Sequence, residues 1–285
     1  MICVVTGATS GIGKETAVAL AKGGATVAMV CRTRDRGEAA LAEIRRRAGH
    51  DAVSLFVADL SSQRAIRAVA AELQAALPRI DVLVNNAGLA LRDRLVTEDG
   101  FENTFAVNHL AYFLLTRLLQ PTLLASAPAR VVNVSSEAHR WGSIRFDDLM
   151  GEVAYDGWKA YAQSKLANVL FTYELARRLD GTGVTANCLH PGLVGTAFAS
   201  RGPSLIRILS RLARPLLRSP ASGAATSVYL ASAPEVATVT GQYFAGRRAR
   251  RSSPASYDRA LAAYEGLRAL GRERTSPTMA CLAVV

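Results

Sequence analysis

Six short, unbroken apolar runs alternate along this chain with segments of helix length. The runs are Ile2–Val5, Thr26–Cys31, Val53–Val57, Asp81–Val84, Arg130–Val134 and Val184–Leu189. Helices are predicted from Gly11 to about Lys22, from Asp35 to about Ala48, over Gln63–Leu77 and Phe101–Leu124, and over roughly Tyr155–Leu179. Strands that are apolar on both faces need cover on both faces, which selects a parallel sheet between helices. Right-handed crossovers then give an α/β, doubly wound sheet in a single domain. The alternation stops from Ser200 to Ser219. After Phe244 the chain becomes basic and turn-rich, with a last helix near Tyr257–Leu270 and a loose tail.

The first run ends in Thr6-Gly7-Ala8-Thr9-Ser10-Gly11-Ile12-Gly13. Three glycines between a buried strand and a helix let the backbone turn sharply and approach a pyrophosphate without Cβ clashes. The following helix aims its N-terminal amides at the phosphates. The bland alternative is a tight turn with no ligand. After the second run, enzymes that prefer NAD place an acid on the ribose 2′-hydroxyl; here the chain reads Cys31-Arg32-Thr33-Arg34. A guanidinium binds a 2′-phosphate by charge-assisted hydrogen bonds, so NADP is expected over NAD, with Arg32 leading and Arg34 in support. Solvated loop arginines are the alternative. Asp59, after the third run, is expected to cap a turn or to meet adenine. Asn85-Asn86-Ala87-Gly88, after the fourth, offers amides beneath a cofactor or plain turn stabilisation.

Composition narrows the partners. The 285 residues are half hydrophobic, enough for one sizeable core. The formal charge of +11 rests on arginine, since the chain has lysine only at Lys14, Lys22, Lys159 and Lys165. Nucleic acid, an anionic membrane, a phosphorylated ligand or simple arginine bias would each fit such a charge. Without a nucleic-acid module or interleaved stacking aromatics, no nucleic-acid partner is expected. Cys3, Cys31, Cys188 and Cys281 are scattered, so neither a disulfide framework nor a metal site is expected. No signal peptide or membrane span is read, and the expected location is cytoplasmic.

Tyr161 and Lys165 lie four residues apart in a predicted helix and so share one face. A phenol of ordinary pKa about 10 is a poor base near neutrality. A neighbouring ammonium and a positively charged nicotinamide are expected to lower it, so that the phenol can exchange a proton with a substrate oxygen. The fifth run ends in Ser135-Ser136, where parallel sheets bind ligands. Ser136 is the expected donor to the substrate oxygen, and Ser135 the lesser candidate, with capping as its other role. Asn108 is an odd residue for a helix interior and is expected to hold a proton-relay water near Lys165. His109 and His190, lacking clustered acids, are read as structural.

In order, Thr6-Gly7 through Gly13, Asn85 to Gly88, Asn108, Ser136, Tyr161 with Lys165, and Pro191-Gly192 resemble the short-chain dehydrogenase/reductase family over roughly residues 1–245. Cys31-Arg32, Asn133 to Ser136, Leu189 to Gly192 and Gly241 to Phe244 look most like its retinol dehydrogenase branch. The resemblance implies a seven-stranded Rossmann sheet and reversible hydride transfer between NADP and a lipophilic alcohol or its aldehyde or ketone. It makes Tyr161 the acid/base, Lys165 its modulator and ribose ligand, Ser136 the substrate polariser and Asn108 part of a proton relay. It assigns the cofactor to Gly7, Thr9, Ser10, Gly11, Ile12, Gly13, Arg32, Arg34, Asp59, Leu60, Asn86, Ala87, Gly88, Tyr161, Lys165, Pro191, Gly192, Val194 and Thr196. Relatives often pair through the helices holding Asn108 and Tyr161, so a homodimer or homotetramer is the expectation.

Within 200–219, arginines interleave with leucines and isoleucines and no acid occurs. By the resemblance, residues 197–219 close over substrate as a lid with an apolar inner face. Weak peripheral contact with an anionic membrane is the alternative. Residues 246–285 are read as a basic C-terminal extension, its Gly246–Arg251 stretch a solvated loop. The rival readings of the whole chain are a cofactor-sensing protein without turnover and a sugar-nucleotide epimerase-type enzyme.

Overall fold

The computed structural model describes residues 1–192 and 219–259. The apolar runs form β1 (Ile2–Thr6), β2 (Thr26–Cys31), β3 (Val53–Val57), β4 (Val82–Asn85), β5 (Ala129–Val134) and β6 (Val184–His190). They are joined by β7 (Tyr243–Ala245) and β8 (Arg248–Arg250) in one sheet of order β3-β2-β1-β4-β5-β6-β7-β8. All pairings from β3 to β7 are parallel. The helices are α1 (Gly11–Lys22), α2 (Arg34–Ala48), α3 (Gln63–Ala76), a short α4 (Asn103–Phe105), α5 (Ala111–Ala125), α6 (Gly157–Arg178) and α7 (Pro220–Ser232).

Successive strand residues point to opposite faces, so each central strand feeds two cores. Val4, Leu83 and Val131 pack with Leu73, Leu115 and Leu119 of α3 and α5. Cys3, Val5, Val82, Val84 and Val132 pack with Ala17, Leu20, Ile44 and Leu230 of α1, α2 and α7. The chain leaves β1 toward β2 on one side and places β4 on the other. Connections diverge there, opening a crevice at the C-terminal ends of β1 and β4.

Three expectations need correction. The seven-stranded sheet has an eighth, antiparallel strand: Gly246 (φ 58°) and Arg247 (φ 63°) form a two-residue left-handed turn, and β8 folds back on β7. Both turn residues at positive φ match the twist of a hairpin, but Arg is an unusual occupant, which hid the signal. The arginines of β8 remain exposed. The single helix over Phe101–Leu124 starts later, because the Glu102 carboxylate accepts from the Thr104 and Phe105 amides and caps the chain there. It is then interrupted by a π-helical turn, Ala106–Leu110, that carries Asn108. Likewise Asp156 accepts from the Lys159 amide at 2.8 Å and starts α6 after Tyr155. Residues 197–218 of the expected lid and 260–270 of the helix expected near Tyr257–Leu270 lie outside the described residues; Ser219 caps α7, and Tyr257 ends a 3-10 turn over Pro254–Tyr257.

Candidate active site

Each glycine of the first turn is required for its own reason. Gly7 is left-handed (φ 68°), and a Cβ on it would lie 2.8 Å from the Ala87 Cα. Gly11 is also left-handed (φ 57°). A Cβ on Gly13 would sit 2.3 Å from Asn86 Nδ2 and 2.4 Å from the Gly7 carbonyl oxygen. Asn86 ties the end of β4 to this turn: its Nδ2 donates to the Thr6 carbonyl (2.9 Å) and its amide to Thr6 Oγ1 (2.9 Å). Ser10 is exposed at the start of α1 and its side chain makes no capping bond, while Thr9 and Ile12 are half-buried. Exposed hydroxyl, glycine cradle and first-turn amides form a donor set suited to a pyrophosphate.

At the end of β2, Arg32 is exposed and forms no ion pair among the described residues, whereas Arg34 lies 3.6 Å from Glu38. Asp59 accepts from the Ser61 amide and hydroxyl (2.9 and 2.8 Å), so its carboxylate caps its own turn. The Leu60 side chain is in the core, leaving only its backbone for a ligand. Gly192 (φ 84°) follows Pro191 and donates its amide to His190 Nδ1 at 3.2 Å. Val194 and Thr196 lie outside the described residues.

The helix α6 carries Tyr161 and Lys165 into the interior, with 8 and 4 % exposure. Lys165 Nζ donates to the Val134 carbonyl at 3.0 Å and lies 5.8 Å from the Tyr161 ring centroid. Tyr161 is hydrogen-bonded to the Ser136 side chain. Ser136 Oγ in turn accepts from the Ala138 amide (3.2 Å), which directs its own proton away from that lone pair. Ser135 Oγ donates to the Lys165 carbonyl (2.7 Å), a structural role. A Cβ on Gly88 would meet Lys165 Nζ at 3.5 Å and Asn108 Oδ1 at 3.3 Å. Contacts therefore run without a break from Gly7 through Ala87 and Gly88 to Lys165.

The expected lowering of the Tyr161 pKa is not what the fold produces. Burial pushes the phenol up to about 12, and the Ser136 hydrogen bond pulls only partly the other way. Burial also brings Lys165 down to about 7, weakening the positive charge invoked to acidify the phenol. Desolvation, which is invisible in a helical spacing, outweighs charge here.

Asn108 is fixed at four points. Its Nδ2 donates to the Leu89 carbonyl (2.8 Å) and Ser164 Oγ (3.0 Å), its Oδ1 accepts from the Leu89 amide, and its carbonyl accepts from Asn168 Nδ2 (2.8 Å). His109 is fully buried, hydrogen-bonded to Asn168 Oδ1 (3.1 Å). His190 Nε2 lies 3.3 Å from the Glu137 carboxylate. Among the described residues no His, Cys, Asp or Glu group could hold a metal.

Three site residues escaped the sequence reading. Tyr112 donates its hydroxyl to the Ala87 carbonyl (2.8 Å) and presents its ring 5.7 Å from Lys165 Nζ. Its position four residues after Asn108 was the available signal. Glu137 and His139, beside Ser136, gave none, since the contacts that tie them to the rest of the fold, from Tyr243 and the Ser253 amide, come from more than a hundred residues away.

Residues 1–203 match the model of the short chain dehydrogenase family. Human retinol dehydrogenase 14 is 44% identical over 275 residues, covering 91% of this chain and 82% of that protein. Mouse retinol dehydrogenase 12 is 48% identical over 243 residues, covering 85% and 77%. Among solved structures, an uncharacterized protein of Mycobacterium paratuberculosis superposes with a TM-score of 0.74 at 36% identity, covering 92% of this chain and 89% of that one. A Beutenbergia cavernae protein described as an NAD(P)-dependent gluconate 5-dehydrogenase, with NADP bound, gives 0.70 at 33%, covering 86% and 94%. No helix among the described residues is long and apolar enough to cross a membrane.

Proposed function

This chain belongs to the short-chain dehydrogenase/reductase family, in its retinol dehydrogenase-like branch, and from that premise we propose that it is an NADP-dependent oxidoreductase interconverting a lipophilic alcohol and its aldehyde or ketone. The observation that carries this reading is the buried Tyr161 hydroxyl, hydrogen-bonded to Ser136 and one helical turn from Lys165. The glycine cradle, the Ser10 hydroxyl and Arg32 fit a nicotinamide dinucleotide carrying a 2′-phosphate. Held there, a reduced nicotinamide would supply the hydride for the carbonyl carbon.

The chain's own residues then handle oxygen and proton. Ser136, its Oγ lone pair taken by the Ala138 amide, donates its hydroxyl proton to the substrate oxygen. Tyr161, protonated at neutrality, gives its phenolic proton to that oxygen as the C–O double bond becomes single. Lys165 stands behind the tyrosine, where its ammonium form stabilises the phenolate left behind. Oxidation runs the same steps backwards.

An aromatic stair supports the lipophilic substrate. Trp141, 66% exposed, lies 6.3 Å from Trp158, and Trp158 lies 6.2 Å from Tyr161. An exposed indole two ring contacts from the Tyr161 phenol is costly in water and useful to an apolar ligand.

The test is NADPH oxidation with a panel of aldehydes and ketones, wild type against Tyr161→Phe. Turnover that the substitution abolishes while NADPH still binds supports the proposal. Binding without turnover in the wild type overturns it in favour of a cofactor-sensing protein.

A further inference from the structure

Two hydroxyls on different elements must meet one substrate oxygen: Ser136 follows β5, and Tyr161 rides on α6. Something has to fix one relative to the other. The backbone at Ser136 is held by its carbonyl, which accepts from the His139 amide (3.1 Å) and from His139 Nδ1 (2.7 Å). The first bond belongs to any residue in that 3-10 turn. The second needs a ring or amide N–H at position 139. His139 is fully buried, and its other nitrogen, Nε2, accepts from the Ser253 amide at 3.0 Å. With one bond donated and one accepted, the ring is a neutral tautomer with its proton on Nδ1.

The Ser253 amide belongs to a segment anchored on α6 itself. Ser252 Oγ is 2.7 Å from the Tyr173 hydroxyl and 2.6 Å from Ser256 Oγ, and the Ser252 amide donates to the Tyr257 hydroxyl (3.2 Å). Tyr257 stacks on Tyr173 with centroids 5.5 Å apart. Arg140 adds a second tie by donating to the Arg251 carbonyl (2.7 Å). A closed circuit results, from Ser136 through His139, Ser253, Ser252 and Tyr173 to α6, and along α6 to Tyr161. This segment lies beyond the residues matched by the family model.

We propose that His139 is a positioning residue for Ser136, and that the Ser252–Tyr257 segment sets the serine–tyrosine geometry through it. The inference rests on the acid/base reading of the site. A buried histidine that merely satisfied the Ser253 amide would affect stability and leave turnover in the folded protein alone. A misplacement of about 1 Å at a reacting group costs up to ~100-fold in rate, so the two roles separate in kcat.

The test uses the full chain and three variants: His139→Phe, which keeps a ring against Tyr243 and loses both bonds; His139→Asn, whose amide reaches the Ser136 carbonyl only; and Tyr173→Phe, which removes the hydroxyl that bonds Ser252 Oγ. Expected are a kcat about tenfold or more lower in His139→Phe with NADPH affinity within about twofold of wild type, and recovery of most of that loss in His139→Asn. Tyr173→Phe should lower kcat by about twofold to fivefold. His139→Phe at wild-type kcat, or His139→Asn as slow as His139→Phe, overturns the role of His139. Tyr173→Phe at wild-type kcat overturns that of the segment. Should His139→Phe not fold, His139→Asn and Tyr173→Phe decide: kcat lowered by about twofold to fivefold in both supports the circuit, because each cuts the link between Ser136 and the segment, and wild-type kcat in either overturns it. A wild type that reduces no carbonyl compound removes the acid/base reading and this inference together, whereas turnover indifferent to position 139 removes this inference alone.

Discussion

Lys165 and Tyr161 share a face of α6 with the ammonium nitrogen 5.8 Å from the phenol ring centroid, and both are buried. Their burial sets the pH behaviour of the free enzyme. Lys165, brought down to about 7, loses its proton as pH rises through neutrality, while Tyr161 near 12 keeps its own. For carbonyl reduction, kcat/KM is therefore expected to fall above pH ~7 as the ammonium is lost. A kcat/KM profile that stays flat from about pH 6 to 9 would contradict this. Tyr161→Phe should cost about 100-fold or more in kcat, the usual contribution of a general acid.

The proposed preference for NADP over NAD rests on Arg32. Arg32→Ala should weaken NADP binding by about 1.5–3 kcal/mol, the scale of a hydrogen bond to a charged group, and leave NAD binding within about twofold. Titration calorimetry with both nucleotides checks it. Arg34→Ala, already paired with Glu38, should do much less.

A methyl group at Gly13 has nowhere to go. Its nearest neighbours are the Asn86 amide, held by the Thr6 carbonyl, and the backbone of Gly7. Gly13→Ala should cost about 1–3 kcal/mol of stability and abolish NADPH binding. Denaturant unfolding and nucleotide fluorescence would read the two effects; a normal Kd in the variant defeats the assignment of this turn.

The aromatic stair makes a substrate-dependent prediction. Trp141→Ala should lower kcat/KM by about tenfold for a bulky apolar aldehyde and by less than about twofold for a two- or three-carbon one. Equal losses on both would mean that the indole serves folding.

His109 supplies an acid limb of stability. Burial depresses its pKa to about 4 in the fold, against about 6.5 in an unfolded chain. Above pH 6.5 the ring is neutral in both states. As pH falls from 6.5 toward 4 only the unfolded chain takes up the proton, so stability declines by roughly 3 kcal/mol from this group. His109→Gln should flatten the Tm–pH curve across that window; an unchanged slope refutes it.

The sequence by itself determined the strand–helix alternation, the glycine turn, the parallel pairing of the central strands and the placing of Tyr161 and Lys165 on one helix face. These follow from local rules: apolar runs, backbone freedom at glycine and the four-residue pitch of a helix face. The tertiary structure alone decided the ionisation of the pair, because desolvation depends on what covers a side chain and not on its spacing. It alone revealed the π-turn at Asn108, set by partners on α6 and at Leu89, and the hairpin that makes β8 from a basic loop. It also decided the company of Ser136. The Ser253 amide on His139 and the Tyr243 hydroxyl on Glu137 come from chain more than a hundred residues away, and no local pattern encodes such a contact.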